Sequence, residues 1–274
     1  MKNSRITFTQ FCFLSTISVF ASLLFIDSSA SLFQPLLCGA ALGINGLFIA
    51  FYRGRAGAAL KLAASAYAGA SAVASSIVFV SYICGALGYG PCWLITVILF
   101  GFSFFCTVKG IEAAARASLI VGAVVLISII YITVSTAPMV DYRFSLMPVF
   151  SPVVALILLF PSASYILLYE NIIPSKKYNF FYFAAFTVVS VAFFTLVSSG
   201  VTEAFPVRVL PSKAQIDIFK GSDGLLLTVL TLATVYINTI STLSVIGSRR
   251  HNYLANSVYL AVLAAVAVGT LSLI

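Results

Sequence analysis

The feature that most constrains this chain is a repeat of long apolar stretches, separated by short polar connections, whose Lys and Arg fall almost entirely on every second connection. A hydrocarbon core about 30 Å thick takes about 20 apolar residues as a single helix. Nine stretches of that order are present, at 8–26, 34–52, 62–87, 91–108, 113–136, 149–170, 180–201, 223–246 and 253–273. Only 8% of residues are charged and 61% are hydrophobic, whereas an average soluble domain is roughly 25% charged. A water-soluble fold would have nothing with which to cover so much apolar surface. The pattern predicts an all-α polytopic membrane protein, one transmembrane domain over 1–274, with the stretches as spans 1 to 9.

The charges predict the orientation. Lys2 and Arg5 precede span 1, and Arg53, Arg55 and Lys61 lie between spans 2 and 3. Lys109 and Arg116 mark the junction of spans 4 and 5, Lys176 and Lys177 that of spans 6 and 7, and Arg249 and Arg250 that of spans 8 and 9. The opposite face holds only Arg143, Arg208, Lys213 and Lys220. Basic residues are retained on the cytoplasmic side, so the N-terminus is expected inside and, after nine crossings, the C-terminus outside.

The net charge of +8 then has a simple origin, because anionic lipid at the inner face favours each basic residue by about 1 kcal/mol. No basic cluster is joined by aromatics in a soluble module, which argues against nucleic acid as a partner. His251, beside Arg249 and Arg250, belongs to the same inside signal and has no thiol or acidic neighbours with which to hold a metal. Lys2, Arg5, the apolar stretch to Ile26 and then Ser28-Ser29-Ala30 loosely imitate a signal peptide, although the stretch is long for one and Asp27 is an unusual flank. Cys12, Cys38 and Cys106 fall within or at the ends of spans, where a thiol behaves as a small hydrophobe. Cys84 and Cys92 flank the outer turn between spans 3 and 4, and their spacing permits a disulfide without deciding it.

Individual spans carry further signals. Span 2 has Gly39, Gly43 and Gly46 at helical spacing, and span 3 is nearly all small, from Ala63 to Ser76. Helices associate in lipid through close backbone approach, so small residues mark buried interfaces. Span 3 is expected near the centre of the bundle, its serines facing a cavity or serving packing alone. Span 6 is interrupted at Pro161-Ser162-Ala163-Ser164, where proline removes a helical donor and clashes with the preceding turn. Such a break is either a simple kink or a discontinuous helix of the kind that builds transporter binding sites. On span 8, Thr228, Thr231, Thr234, Asn238, Ser241 and Thr242 recur at three- and four-residue steps. Asn is costly in lipid without a partner, whereas Thr can also bond back to its own helix. Span 1 has a polar face of Ser15, Thr16, Ser18 and Ser22. Asp27, Glu112 and Glu170 all lie near span ends, which leaves no buried carboxylate relay.

Four segments resemble the spore germination receptor B-subunit family of the amino acid–polyamine–organocation (APC) transporter superfamily. Ile6-Thr7-Phe8-Thr9-Gln10 resembles the family's Ile-Ser/Thr-x-x-Gln opening. Lys109-Gly110-Ile111-Glu112-Ala113-Ala114-Ala115-Arg116 is similar to its Gly-hydrophobic-Glu-x-x-Ala-Arg lead into the fifth span. Tyr169-Glu170-Asn171 running to Pro174 resembles the close of its sixth span, and the loop with Pro211 followed by Ser222-Asp223-Gly224-Leu225 resembles the entry to its eighth. The segments occur in family order over nearly the whole chain, and each is short.

The resemblance implies an inverted-repeat fold of the LeuT type, two groups of five helices, with the tenth helix lacking here. It implies a small nutrient, often an amino acid, held between spans 1, 3, 6 and 8, and partner A- and C-type germination subunits in the inner spore membrane. Three departures fall in that region or beside it: the absent tenth span, a span 1 without the family's glycine break and later proline, and Pro161-Ser162-Ala163-Ser164 in place of a Gly-aromatic-Glu pattern. Three functions follow: a nutrient-sensing receptor subunit, an active secondary amino-acid transporter, or a scaffold subunit without a ligand. An enzyme is not expected, since no His or acidic residue lies deep in a span, and no cofactor or metal is implied. The expected ligand contacts are Ser162 and Ser164 at the break, Thr231, Thr234 and Asn238 on span 8, and Thr16 and Ser18 on span 1.

Overall fold

A backbone surrounded by hydrocarbon must satisfy its own hydrogen bonds, which an α-helix does within one segment. The computed structural model describes residues 6–11, 13, 57–86, 91–139, 185, 232, 234–236, 238, 239, 242, 243 and 253–272. Within them lie α1 (Ala58–Ala86), α2 (Cys92–Val108), α3 (Gly110–Thr136) and α4 (Tyr253–Leu271), on spans 3, 4, 5 and 9. The described residues of span 8 are helical as well. Among the described residues there is no β-strand.

Three stretches are long and apolar enough to cross a membrane: Ala58–Ser81, Gly110–Ser128 and Tyr253–Leu271, of 24, 19 and 19 residues. α2 is also apolar and, at 17 residues, shorter. Large apolar side chains stand exposed along α2 (Val97, Ile98, Phe102), α3 (Ile120, Val124, Ile127) and α4 (Leu254, Val258, Val262). Stripes of that size suit lipid and not water. Trp93 in the first turn of α2 and Tyr253 at the start of α4 are exposed, at helix ends where amphipathic rings settle in the headgroup layer. The chain is membrane-associated.

Two helices start earlier than expected, α1 four residues before position 62 and α3 three before position 113. Helical hydrogen bonding continues through polar residues after the apolar stretch has ended, so Lys61, Glu112 and Arg116 all lie on helix. The corner between α2 and α3 is tight. Lys109 caps α2, and Gly110 has φ 82°, a left-handed value that glycine adopts without a Cβ penalty. At its far end α3 gives way to a 3-10 turn, Ala137–Met139, where Pro138 removes the next helical donor.

The opening motif has a local explanation. The Thr7 N–H donates to Gln10 Oε1 at 2.9 Å, and the Gln10 N–H donates to Thr7 Oγ1 at 3.3 Å. This reciprocal capping box satisfies two orphan donors at a helix start, with Ile6 and Phe11, both fully buried, at the positions of a hydrophobic staple.

α4 packs most extensively on α2 and next on α1, while α1 also touches α2 and α2 touches α3. The buried stripe of α4 is Asn256, Leu260, Leu263 and Ala267, at the three- and four-residue spacing of one helical face. On α1, Ala64, Ala68 and Ala72 are buried, so these small residues do serve packing. Gly69 is a point of close approach between α1 and α4. A Cβ built there would lie 2.6 Å from the Tyr259 hydroxyl and 3.6 Å from Leu263. Cys84 and Cys92 are disulfide-bonded, with Cα atoms 6.2 Å apart, which ties the end of α1 to the start of α2. Their spacing alone had left this open.

Candidate functional site

The polar residues expected on span 8 come together with span 3 in the interior. Asn238 and Ser76 are both fully buried. Asn238 Nδ2 donates to Ser76 Oγ at 3.1 Å. The Ser76 hydroxyl in turn has the Ala72 carbonyl at 2.7 Å and Asn238 Oδ1 at 3.3 Å. A hydroxyl has one proton to give, and the shorter contact takes it. Ser76 thus accepts from Asn238 and donates back to its own helix. An interhelical polar contact in a membrane bundle contributes about 0.6 kcal/mol on average and about 1.7 at most. Its larger effect is on register, because only one rotation of span 8 against α1 brings the two groups together.

Thr234 is fully buried too. Thr239 and Thr242 follow the other course open to a hydroxyl on a membrane helix: they donate to the carbonyls of Val235 and Asn238, each at 2.7 Å. Thr16, Ser18, Ser162, Ser164 and Thr231 lie outside the described residues, as does the Pro161 break.

Two residues that the polar stripe did not mark belong to the same interior. The Tyr236 hydroxyl donates to the Ala114 carbonyl at 3.1 Å, joining span 8 to α3. Cys106 on α2 lies beside Thr239. Span 8 is therefore hydrogen-bonded to α1 through Ser76 and to α3 through the Ala114 carbonyl, and it lies beside α2 at Cys106. A sequence signal for Tyr236 existed, since a phenol inside an apolar span has a hydroxyl that must find a partner.

No protein-family model matches the chain, and no curated protein matches it.

The serines of span 3 divide between the two roles open to them. Ser75 is buried and donates to the Ala72 carbonyl at 3.0 Å, a packing role, while Ser76 makes the contact to span 8. On the buried face of α2, Thr96, Ser103 and Thr107 likewise donate to carbonyls of their own helix. Two buried polar atoms have no hydrogen-bond partner among the described residues, Tyr67 Oη and Asn256 Oδ1. Among the described residues no three His, Cys, Asp or Glu side chains gather as metal ligands. The arrangement is neutral and rich in hydrogen bonds. Chemically it can orient a small polar molecule or fix helix register.

Proposed function

We propose that the chain is a nutrient (germinant) receptor subunit with the fold of an amino-acid transporter, working in a cell membrane such as the inner spore membrane. Nine spans with the N-terminus inside form a LeuT-type bundle. A small nutrient such as an amino acid binds between spans 1, 3, 6 and 8, and the response passes to A- and C-type germination subunits.

The observation that carries this reading is the pattern of helix contacts. An inverted repeat of five and five helices exchanges span 3 with 8 and span 4 with 9. A two-fold relation of that kind maps contacts 3–8 and 4–9 onto themselves and pairs contact 3–9 with contact 4–8. The contacts observed are consistent with that relation: Ser76 with Asn238, α2 with α4 and α1 with α4, with Cys106 beside Thr239. The disulfide supports the orientation, since disulfides persist on the oxidising side of a membrane and the turn closed by Cys84 and Cys92 is an outer one in the charge pattern.

A second reading, the ligand-free scaffold subunit, is favoured by one observation: Asn238 is fully enclosed and already engaged by Ser76. Binding separates the two. The purified full chain is titrated with a panel of amino acids by calorimetry and by thermal shift. Saturable binding of one or a few members supports the receptor, and a flat response to the whole panel leaves the scaffold. Uptake of the bound amino acid by reconstituted vesicles under an ion gradient would move the assignment to transport.

A further inference from the structure

The corner where α2 meets α3 gathers two cations at the end of two exposed apolar stripes. On α2 the stripe runs Ile98, Phe102 and Phe105, all exposed, and at the same three- and four-residue steps it reaches Lys109. The Lys109 ammonium lies 5.5 Å from the centre of the Phe105 ring, within cation–π range. On α3 the stripe runs back from Val124 through Ile120 to Arg116, whose side chain is 70% exposed. Arg116 reaches back to Glu112, Nη2 to Oε1 at 2.5 Å. This draws the guanidinium from its own Cα back toward the corner, along part of the roughly 6 Å that four helical residues rise. A long cationic side chain on a lipid-facing helix directs its head to the phosphate layer in this way. Since Gly110 joins the two helices directly, both cations belong to the same membrane surface.

We propose that the α2–α3 corner binds one anionic phospholipid, its phosphate held between Lys109 and Arg116 and an acyl chain lying along Phe102, Phe105 and Ile120. Charge selects the occupant. Apolar stripes alone suit any lipid, whereas two cations at their end favour a headgroup with net negative charge. Glu112 opposes the binding through its own charge while orienting Arg116, whose planar guanidinium has donors left for a phosphate after one is given to Glu112. The inference rests on membrane embedding alone and is independent of what the bundle interior binds.

The test uses the full chain purified in neutral detergent, with native mass spectrometry reading lipid retention. Phosphatidylglycerol, phosphatidylcholine with the same acyl chains, and soluble glycerol 3-phosphate are offered in turn. The expected result is retention of phosphatidylglycerol alone. Each cation at an anionic lipid surface is worth roughly fivefold in affinity, so Lys109→Gln with Arg116→Gln should weaken retention tenfold or more. Glu112→Gln should strengthen it, the opposite sign to a general loss of structure, and it decides the matter by itself if the double variant does not fold. Equal retention of the two lipids, protection by glycerol 3-phosphate as strong as by the lipid, or weaker or unchanged retention in Glu112→Gln would each overturn the proposal.

Discussion

The phenolic oxygen of Tyr259 on α4 occupies the space that Gly69 on α1 leaves open, 2.6 Å from where a Cβ would be. The next atom of the same ring is 3.7 Å away, an ordinary van der Waals distance, so the hydroxyl at the end of the side chain is the one group that would have to shift to admit a Cβ. Gly69→Ala gains about 1 kcal/mol in helix propensity and loses about 1–3 kcal/mol to overpacking. It is therefore expected to lower the unfolding temperature in detergent. In a Tyr259→Phe background the same change should be neutral or stabilising, and equal effects in the two backgrounds would show that the hydroxyl does not set the packing.

Ser76 and Asn238 should respond unequally to mutation. When Asn238 is replaced by Leu, Ser76 still has the Ala72 carbonyl at 2.7 Å and no buried group is orphaned. When Ser76 is replaced by Ala, the buried Asn238 amide loses its interhelical partner, at about 1–3 kcal/mol. Ser76→Ala should thus destabilise more than Asn238→Leu, and the double variant should resemble Asn238→Leu. Thermal unfolding of the three variants checks the order.

If the bundle binds a nutrient, Asn238→Leu removes a donor and an acceptor and should weaken the response more than Thr231→Val. A neutral hydrogen bond contributes roughly 0.5–1.5 kcal/mol, which corresponds to at most about a tenfold shift in the dose–response midpoint. Membrane insertion should be unchanged. A midpoint unmoved by Asn238→Leu would place the ligand elsewhere or favour the scaffold.

Cys84 and Cys92 should resist maleimide labelling until a reductant is added, and then react as a pair. Closing so short a loop restricts the unfolded chain by roughly 2–3 kcal/mol. Cys84→Ser with Cys92→Ser should lower the unfolding temperature, and addition of reductant should leave that variant unaffected while bringing the native protein down to match it. Labelling of both thiols without reductant would refute the bond.

The orientation is open to direct test with an impermeant thiol reagent, in a background where the native cysteines are replaced. A cysteine at position 213 in place of Lys should label from outside, and one at position 55 in place of Arg should be shielded. The reverse pattern would overturn both the orientation and the five-and-five reading of the helices.

Hydropathy is a local property, and the helical class and the approximate extents of α1, α2, α3 and α4 followed from it without any tertiary information. A stretch such as Cys92–Val108 has to be helical in lipid whatever it packs against, because its backbone must satisfy itself. The capping box of Thr7 and Gln10, which closes within one turn of its own residues, emerged only with the structure, since in the sequence these residues stood out through the family resemblance alone. Partner choice was not legible either. Sequence allowed every hydroxyl in spans 3 and 8 either to bond back to its own helix or to cross to a neighbour, and the two outcomes differ in free energy by less than the packing around them. Tertiary structure therefore decided that Ser75, Thr239 and Thr242 bond back while Ser76 meets Asn238 across the interface. Tyr236 with Ala114, Tyr259 with Gly69 and Cys84 with Cys92 were settled in the same way. The periodicity of a helix says which residues share a face; which face meets which depends on how closely two backbones approach, and that is fixed only when small residues on one helix and large ones on another are brought into register.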